Sequence, residues 1–141
     1  MIERVEHDGA TYAVVIRKSH APKDCVEFCT PPDYSQQLAY MHRVKGDEIK
    51  AHRHNEVTRS VTRTCETLFI RKGRIRTDIY DDNDAFVASV ELTDGDVILL
   101  VCGGHGFVML EDSEIVEVKQ GPYAGDKDKS FLEVATCRSD V

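Results

Sequence analysis

Short runs of alternating apolar and polar residues recur along most of the chain. In the run Arg74–Tyr80, the odd positions carry Ile, Thr and Ile, whereas the first three even positions carry Arg, Arg and Asp. This period of two is typical of a strand with one buried face. Runs of this kind predict strands at Thr11–Arg17, Val26–Cys29, Gln37–Arg43, Glu48–Arg53, Val57–Thr62, Thr67–Arg71, Arg74–Tyr80, Ala85–Leu92, Asp96–Val101, His105–Leu110 and Glu114–Lys119.

Helical periodicity is nearly absent from the chain. Only Tyr34–Ala39, after a Pro–Pro pair, predicts a short helix, and Phe131–Ala135 predicts a last short strand or turn. Many short strands separated by polar turns indicate an all-β, antiparallel sandwich or small barrel. Because no composition shift interrupts the chain, we expect one domain over residues 1–141.

Composition and charge narrow the range of possible functions. The 141 residues are 41% hydrophobic and carry a net charge of -7, which suits a globular protein and argues against nucleic-acid binding. No apolar run is long enough to span a membrane, and residues 1–10 lack the apolar core of a signal peptide, so we expect a cytoplasmic protein. Five cysteines are an odd number, and in that compartment we interpret them as small thiols without a disulfide framework.

The histidines carry the strongest chemical signal. His52 and His54 form an HxH pair, and residues two apart on a strand point to one face, where two imidazoles can share a metal ion. The alternative is an exposed basic strand, since Lys50 and Arg53 are neighbours. Glu66 opens the next strand and could close on the same ion, while alternation places Cys65 on the opposite face.

These residues follow the spacing of the first motif of the cupin superfamily, which the sequence resembles over about residues 40–120. Five residues separate Gly46 from His52, and six separate Glu66 from Gly73. Gly95, Gly103 and His105 approximate the second motif, although Val101 and Met109 replace its proline and asparagine. The eleven residues between His54 and Glu66 exceed the family's gap; this insert, Asn55–Cys65, is predicted as a hairpin at the barrel mouth, and Glu56 is an alternative ligand.

The resemblance implies an antiparallel double-stranded β-helix, the cupin or jelly-roll barrel, with extra N-terminal strands and a short C-terminal extension. It also implies a homodimer and one divalent transition metal, which could be iron, zinc, manganese or nickel. The implied ligands are His52, His54 and His105, with Glu66 as the fourth.

Tyr123 adds a further resemblance at the C-terminal end. The stretch Glu117–Tyr123 is similar to the last strand of cupins that act on sugar nucleotides, such as the 3,4-ketoisomerases. Those enzymes transfer protons between adjacent carbons, and His52, His54 and Tyr123 could take acid–base roles here. We therefore expect a metal-binding small-molecule enzyme, an isomerase or epimerase acting on a carbohydrate-like or anionic substrate. The alternatives are a metal-dependent dioxygenase and a non-catalytic small-molecule-binding barrel.

Overall fold

A computed structural model describes residues 1–133 of the chain. This part is all-β, with ten strands and one single-turn 3-10 helix at Gly125–Lys127, and no helix in it is long and apolar enough to cross a membrane. The strands are β1 (Ile2–His7), β2 (Ala10–Ile16), β3 (Val26–Phe28), β4 (Ala39–Met41), β5 (Glu66–Lys72), β6 (Arg74–Tyr80), β7 (Phe86–Thr93), β8 (Val97–Leu100), β9 (Gly104–Met109) and β10 (Glu114–Lys119).

The strands form three antiparallel sheets. The largest has the order β1-β2-β8-β5-β10, the second has the order β7-β6-β9, and β3 and β4 form a small hairpin-like pair. Every pairing is antiparallel, which confirms the predicted all-β antiparallel class. Between residues 1 and 133 none of these sheets closes on itself into a barrel, so the double-stranded β-helix stays a prediction.

The main core lies between the two larger sheets and follows the predicted alternation. Ile75, Thr77 and Ile79 of β6 are buried, whereas Arg74 is exposed and Arg76 is partly exposed. Alternate residues of the other strands meet them, as expected for two faces that pack on each other. The buried members are Tyr12, Ala13, Val15, Leu68, Ile70, Ile75, Ile79, Leu92, Ile98 and Leu100.

A second apolar cluster covers the outer face of the largest sheet. Cys65 and Cys29 belong to it, together with buried residues of β2 and β8, and Leu38 and Tyr40 pack against it from the β3–β4 side. Cys65 therefore lies away from the main core, as alternation beside Glu66 predicts. Cys25, Cys29, Cys65 and Cys102 are free thiols.

Residues 42–64 form a long exposed segment in which the structure has no strand. The predicted strands Glu48–Arg53 and Val57–Thr62, and the predicted hairpin at Asn55–Cys65, are therefore wrong. Apolar and polar residues do alternate there, but no sheet edge supplies the backbone hydrogen-bond partners that a strand needs. One end of the segment is tied to the body because Arg63 makes two hydrogen bonds of 2.8 Å to Asp82.

The predicted helix at Tyr34–Ala39 is also wrong. Residues 34–38 are irregular and Ala39 begins β4, and the Gln37 side chain donates hydrogen bonds to the carbonyls of Pro31 and Tyr34. These bonds satisfy backbone acceptors without a helix. The predicted last strand Phe131–Ala135 is not a strand at residues 131–133, and its remainder, like Cys137, lies outside the described residues.

Ile98→Ala should lower the free energy of unfolding by about 2–5 kcal/mol, because it opens a cavity where the side chain is 0% exposed. The matched control is Ile49→Ala in segment 42–64, where the same side chain is 54% exposed and the loss should stay within about 0.5 kcal/mol. Urea unfolding of both variants measures the difference. Equal losses would mean that the exposed segment packs on the body in solution.

Candidate functional site

Glu66 and His105 face each other between the two larger sheets. Glu66 begins β5 on the same face as the buried Leu68 and Ile70, and His105 lies opposite Ile79 of β6. The Glu66 Oε2 and His105 Nε2 atoms are 3.0 Å apart. Their side chains are 18% and 27% exposed, so the pair lies where the apolar core ends and solvent begins.

Lys119 extends this pair into a polar cluster. It ends β10 directly opposite Glu66, and its Nζ atom lies 3.8 Å from Glu66 Oε1. The same Nζ atom is 3.8 Å from a Glu117 oxygen and 3.4 Å from Asp128 Oδ2. The hydrogen bond with Asp128 raises the pKa of Lys119. One ammonium group therefore has three carboxylate neighbours at this end of the sheets.

The electrostatics keep Glu66 ionised. The hydrogen bond from His105 lowers the pKa of Glu66, and the nearby positive charges of Lys119 and Lys129 lower it further, against the opposing effect of burial. An ionised carboxylate can only accept a hydrogen bond, so the Nε2 atom of His105 carries the proton and donates the hydrogen bond to Glu66. No hydrogen bond within residues 1–133 occupies Nδ1 of His105, which leaves that nitrogen to accept a proton from a ligand.

The other two predicted metal ligands lie elsewhere. The rings of His52 and His54 are neighbours, with centroids 5.5 Å apart, but both belong to the exposed segment 42–64 and not to a strand. His52 Nδ1 lies 2.9 Å from the Lys50 carbonyl oxygen, and the alternative ligand Glu56 is exposed in the same segment. The predicted set is thus divided into two pairs, Glu66 with His105 and His52 with His54.

The described residues do not provide a ready metal site. Across residues 1–133, no three His, Cys, Asp or Glu side chains are grouped closely enough to hold a metal ion. An ion held by protein groups normally has at least three such ligands. The structure does not bring His52, His54, Glu66 and His105 together, so a metal site built on these four residues stays a prediction.

Tyr123 lies at the rim of the Glu66 cluster. Its side chain is 72% exposed, and the centroid of its ring is 5.8 Å from Lys119 Nζ. The cluster members Lys119 and Asp128 were not found from the sequence. Lys119 is detectable only once the register of β5 and β10 is known, and Asp128 approaches from an irregular stretch that carries no periodic signal.

A second imidazole–carboxylate pair was also missed. His20 Nε2 lies 2.9 Å from Glu27 Oε2, and the largely buried His20 ring packs edge-on against Tyr40, with centroids 5.6 Å apart. This pair joins the stretch after β2 to the small β3–β4 sheet. It provides a close chemical comparison for His105, but it lies outside the space between the two larger sheets.

Comparisons with protein-family models, with curated proteins and with solved structures find no match to this chain.

Replacing Glu66 should change how stability depends on pH. Because the folded-state pKa of Glu66 is lowered from 4.5, the ionised form stabilises the fold above that value, and this contribution is lost as the pH falls through the lowered folded-state pKa. Glu66→Gln should therefore reduce the loss of unfolding free energy on acidification, measured by urea unfolding from neutral pH downwards.

The control for this titration is Glu117→Gln, which removes a carboxylate near Lys119 but keeps the contact between Glu66 and His105. This variant should retain most of the wild-type acid dependence. Identical acid curves for the wild type and Glu66→Gln would contradict the described pairing.

Proposed function

We propose that the chain is a small-molecule-binding protein of the cupin type that transfers a proton at the Glu66–His105 pair, in an isomerase- or epimerase-type reaction. The observation that carries the proposal is the 3.0 Å contact of these two side chains at the partly exposed end of the space between the sheets. Homodimer formation, which the resemblance implies, stays a prediction.

His105 is the proposed acid–base group. Its Nδ1 atom removes a proton from a carbon next to a substrate carbonyl and returns a proton to that carbon or its neighbour. The imidazolium that forms in between is stabilised by the ionised Glu66, which accepts the Nε2–H hydrogen bond. Glu66 also fixes the orientation of the ring, so that Nδ1 points at the same place in each turnover.

The charges around the pair favour hydroxyl and carbonyl groups over a phosphate at the reacting end of the ligand. Lys119 contacts this cluster, and three carboxylates, those of Glu66, Glu117 and Asp128, already share its ammonium group. A second anion beside those carboxylates would meet their repulsion. We therefore propose a carbohydrate-like carbonyl compound, whose acidic groups, if it carries them, lie away from Glu66.

Tyr123 is proposed to contact the ligand at the rim. Its exposed ring, held near Lys119, offers an apolar face for stacking on a sugar ring and a hydroxyl for a hydrogen bond. The roles predicted for His52 and His54 in proton transfer have less support, because both lie in the exposed segment 42–64.

The cupin resemblance gains one supporting observation. Two of the four residues that it implies as ligands, Glu66 and His105, lie far apart in the sequence but are in contact. The second candidate function is therefore that of a protein that binds a divalent transition metal, and a metal-dependent dioxygenase is one such protein. Such an ion would need further donors, and the neighbouring imidazoles of His52 and His54 are the residues that the motif offers.

Elemental analysis after reconstitution with iron, zinc, manganese and nickel tests the metal candidate. If it holds, one ion should bind per chain, and both His52→Ala and His105→Ala should lose it, while His20→Ala, outside the site, should keep it. Oxygen consumption by the loaded protein would then separate a dioxygenase from an isomerase. Retention of the ion by His105→Ala would contradict a site at the Glu66–His105 pair.

Deuterium exchange tests the proton transfer directly. Uronic acids, ketose phosphates and 4-keto nucleotide sugars are incubated with the protein in D2O, and loss of the proton next to the carbonyl is followed by NMR. His105→Gln should slow exchange by about a hundredfold to ten-thousandfold, the usual contribution of a general base. Glu66→Gln should slow it less, because it removes only the orienting partner.

The matched control is His20→Gln, which breaks the imidazole–carboxylate pair with Glu27 and should leave exchange unchanged. Binding without exchange, lost in His105→Gln, would favour the non-catalytic alternative. Neither binding nor exchange with any member of the panel would contradict the proposal.

A further inference from the structure

The stretch after β10 crosses the end of the sheets where the Glu66–His105 pair lies. We name residues 121–132 the C-terminal strap. It begins after Lys119, which lies opposite Glu66 on β10, and it reaches Gly104, the residue before His105 on β9. The strap therefore runs from the edge strand of one sheet to the edge strand of the other.

An ion pair holds the middle of the strap. Asp128, which directly follows the 3-10 helix Gly125–Lys127, lies with its Oδ2 atom 3.4 Å from Lys119 Nζ. The Asp128 side chain is mostly buried, and its backbone N–H donates a hydrogen bond to the Gly125 carbonyl at 3.0 Å. The same Lys119 contacts Glu66, so this ion pair is attached directly to the site.

An apolar contact holds the far end of the strap. A Cβ atom built on Gly104 would lie only 2.5 Å from Leu132 Cδ1, so the glycine leaves the space that Leu132 occupies. Neighbouring residues on a strand point to opposite faces, and His105 points between the sheets. Leu132 therefore packs on the outer face of β9, and the strap wraps around the edge of this strand.

We infer that the C-terminal strap is a cover for the Glu66–His105 site, closed by the Asp128–Lys119 ion pair and by the packing of Leu132 on Gly104. Opening the strap exposes the pair to a ligand, and closing it limits the access of water to the reacting atoms. The inference rests on the proposed function for the identity of the site, but the cover itself can be tested without a ligand.

Acylation of histidines by diethyl pyrocarbonate measures access to the site. The rate at His105 is divided by the rate at His54, which lies in the exposed segment 42–64 and serves as an internal reference. Asp128→Asn removes the ion pair and should raise this ratio about two- to fivefold, the range expected for the loss of a partly exposed ion pair. The matched control is Asp126→Asn, an exposed position on the same 3-10 helix, which should leave the ratio unchanged.

Leu132→Ala separates a cover from an electrostatic effect. Asp128→Asn also alters the charge near Lys119 and Glu66, whereas Leu132→Ala changes only the packing on Gly104. If the strap covers the site, the His105/His54 labelling ratio should rise in both Asp128→Asn and Leu132→Ala. An unchanged ratio in Leu132→Ala, or an equal rise in Asp126→Asn, would overturn the inference.

The two proposals fail in different ways. If the labelling ratios behave as expected but His105→Gln retains proton exchange, the proposed function is wrong and the cover stands. If His105→Gln loses exchange but the labelling ratios do not change in the strap variants, the cover is wrong and the proposed function stands.

Discussion

The register of β5 against its two neighbours decides which side chains enter the space between the larger sheets. Glu66 is aligned with Leu100 of β8 on one side and with Lys119 of β10 on the other. A slip of one residue would turn Glu66 to the outer face and bring Thr67 inward. The apolar residues that follow Glu66 on the same face, Leu68 and Ile70, prevent that slip, because it would remove both from the main core between the sheets.

The site forms where this apolar packing ends. An ion pair deep in the core would lose more in desolvation than it gains, whereas a partly exposed pair keeps contact with water and remains able to exchange protons. Glu66 and His105 occupy this intermediate position, and Lys119 supplies a compensating charge. The His20–Glu27 pair has similar geometry but packs against Tyr40, a setting that favours a structural role.

The sequence predicts the strands well where a strand has both an apolar face and a partner. The alternation of β6 predicts the burial of Ile75 and Ile79, and the position of Glu66 relative to Cys65 follows from the same rule. The alternation rule fails for residues 42–64, because this stretch contains β-forming residues such as Val57 but its backbone has no sheet edge to pair with. The predicted site depends on that segment, and only its Glu66 and His105 half is brought together. Lys119 and Asp128 join the site through contacts that no local pattern encodes.

The most direct test of the account is an NMR experiment on the imidazole rings. Resonances of all histidine rings are followed as the carbohydrate panel is added to the intact protein. The account predicts that the His105 ring responds at saturating ligand, whereas the His20 ring, which also pairs with a glutamate, does not. A response confined to His20, or to His52 and His54 in the exposed segment, would contradict the assignment of the site to the Glu66–His105 pair.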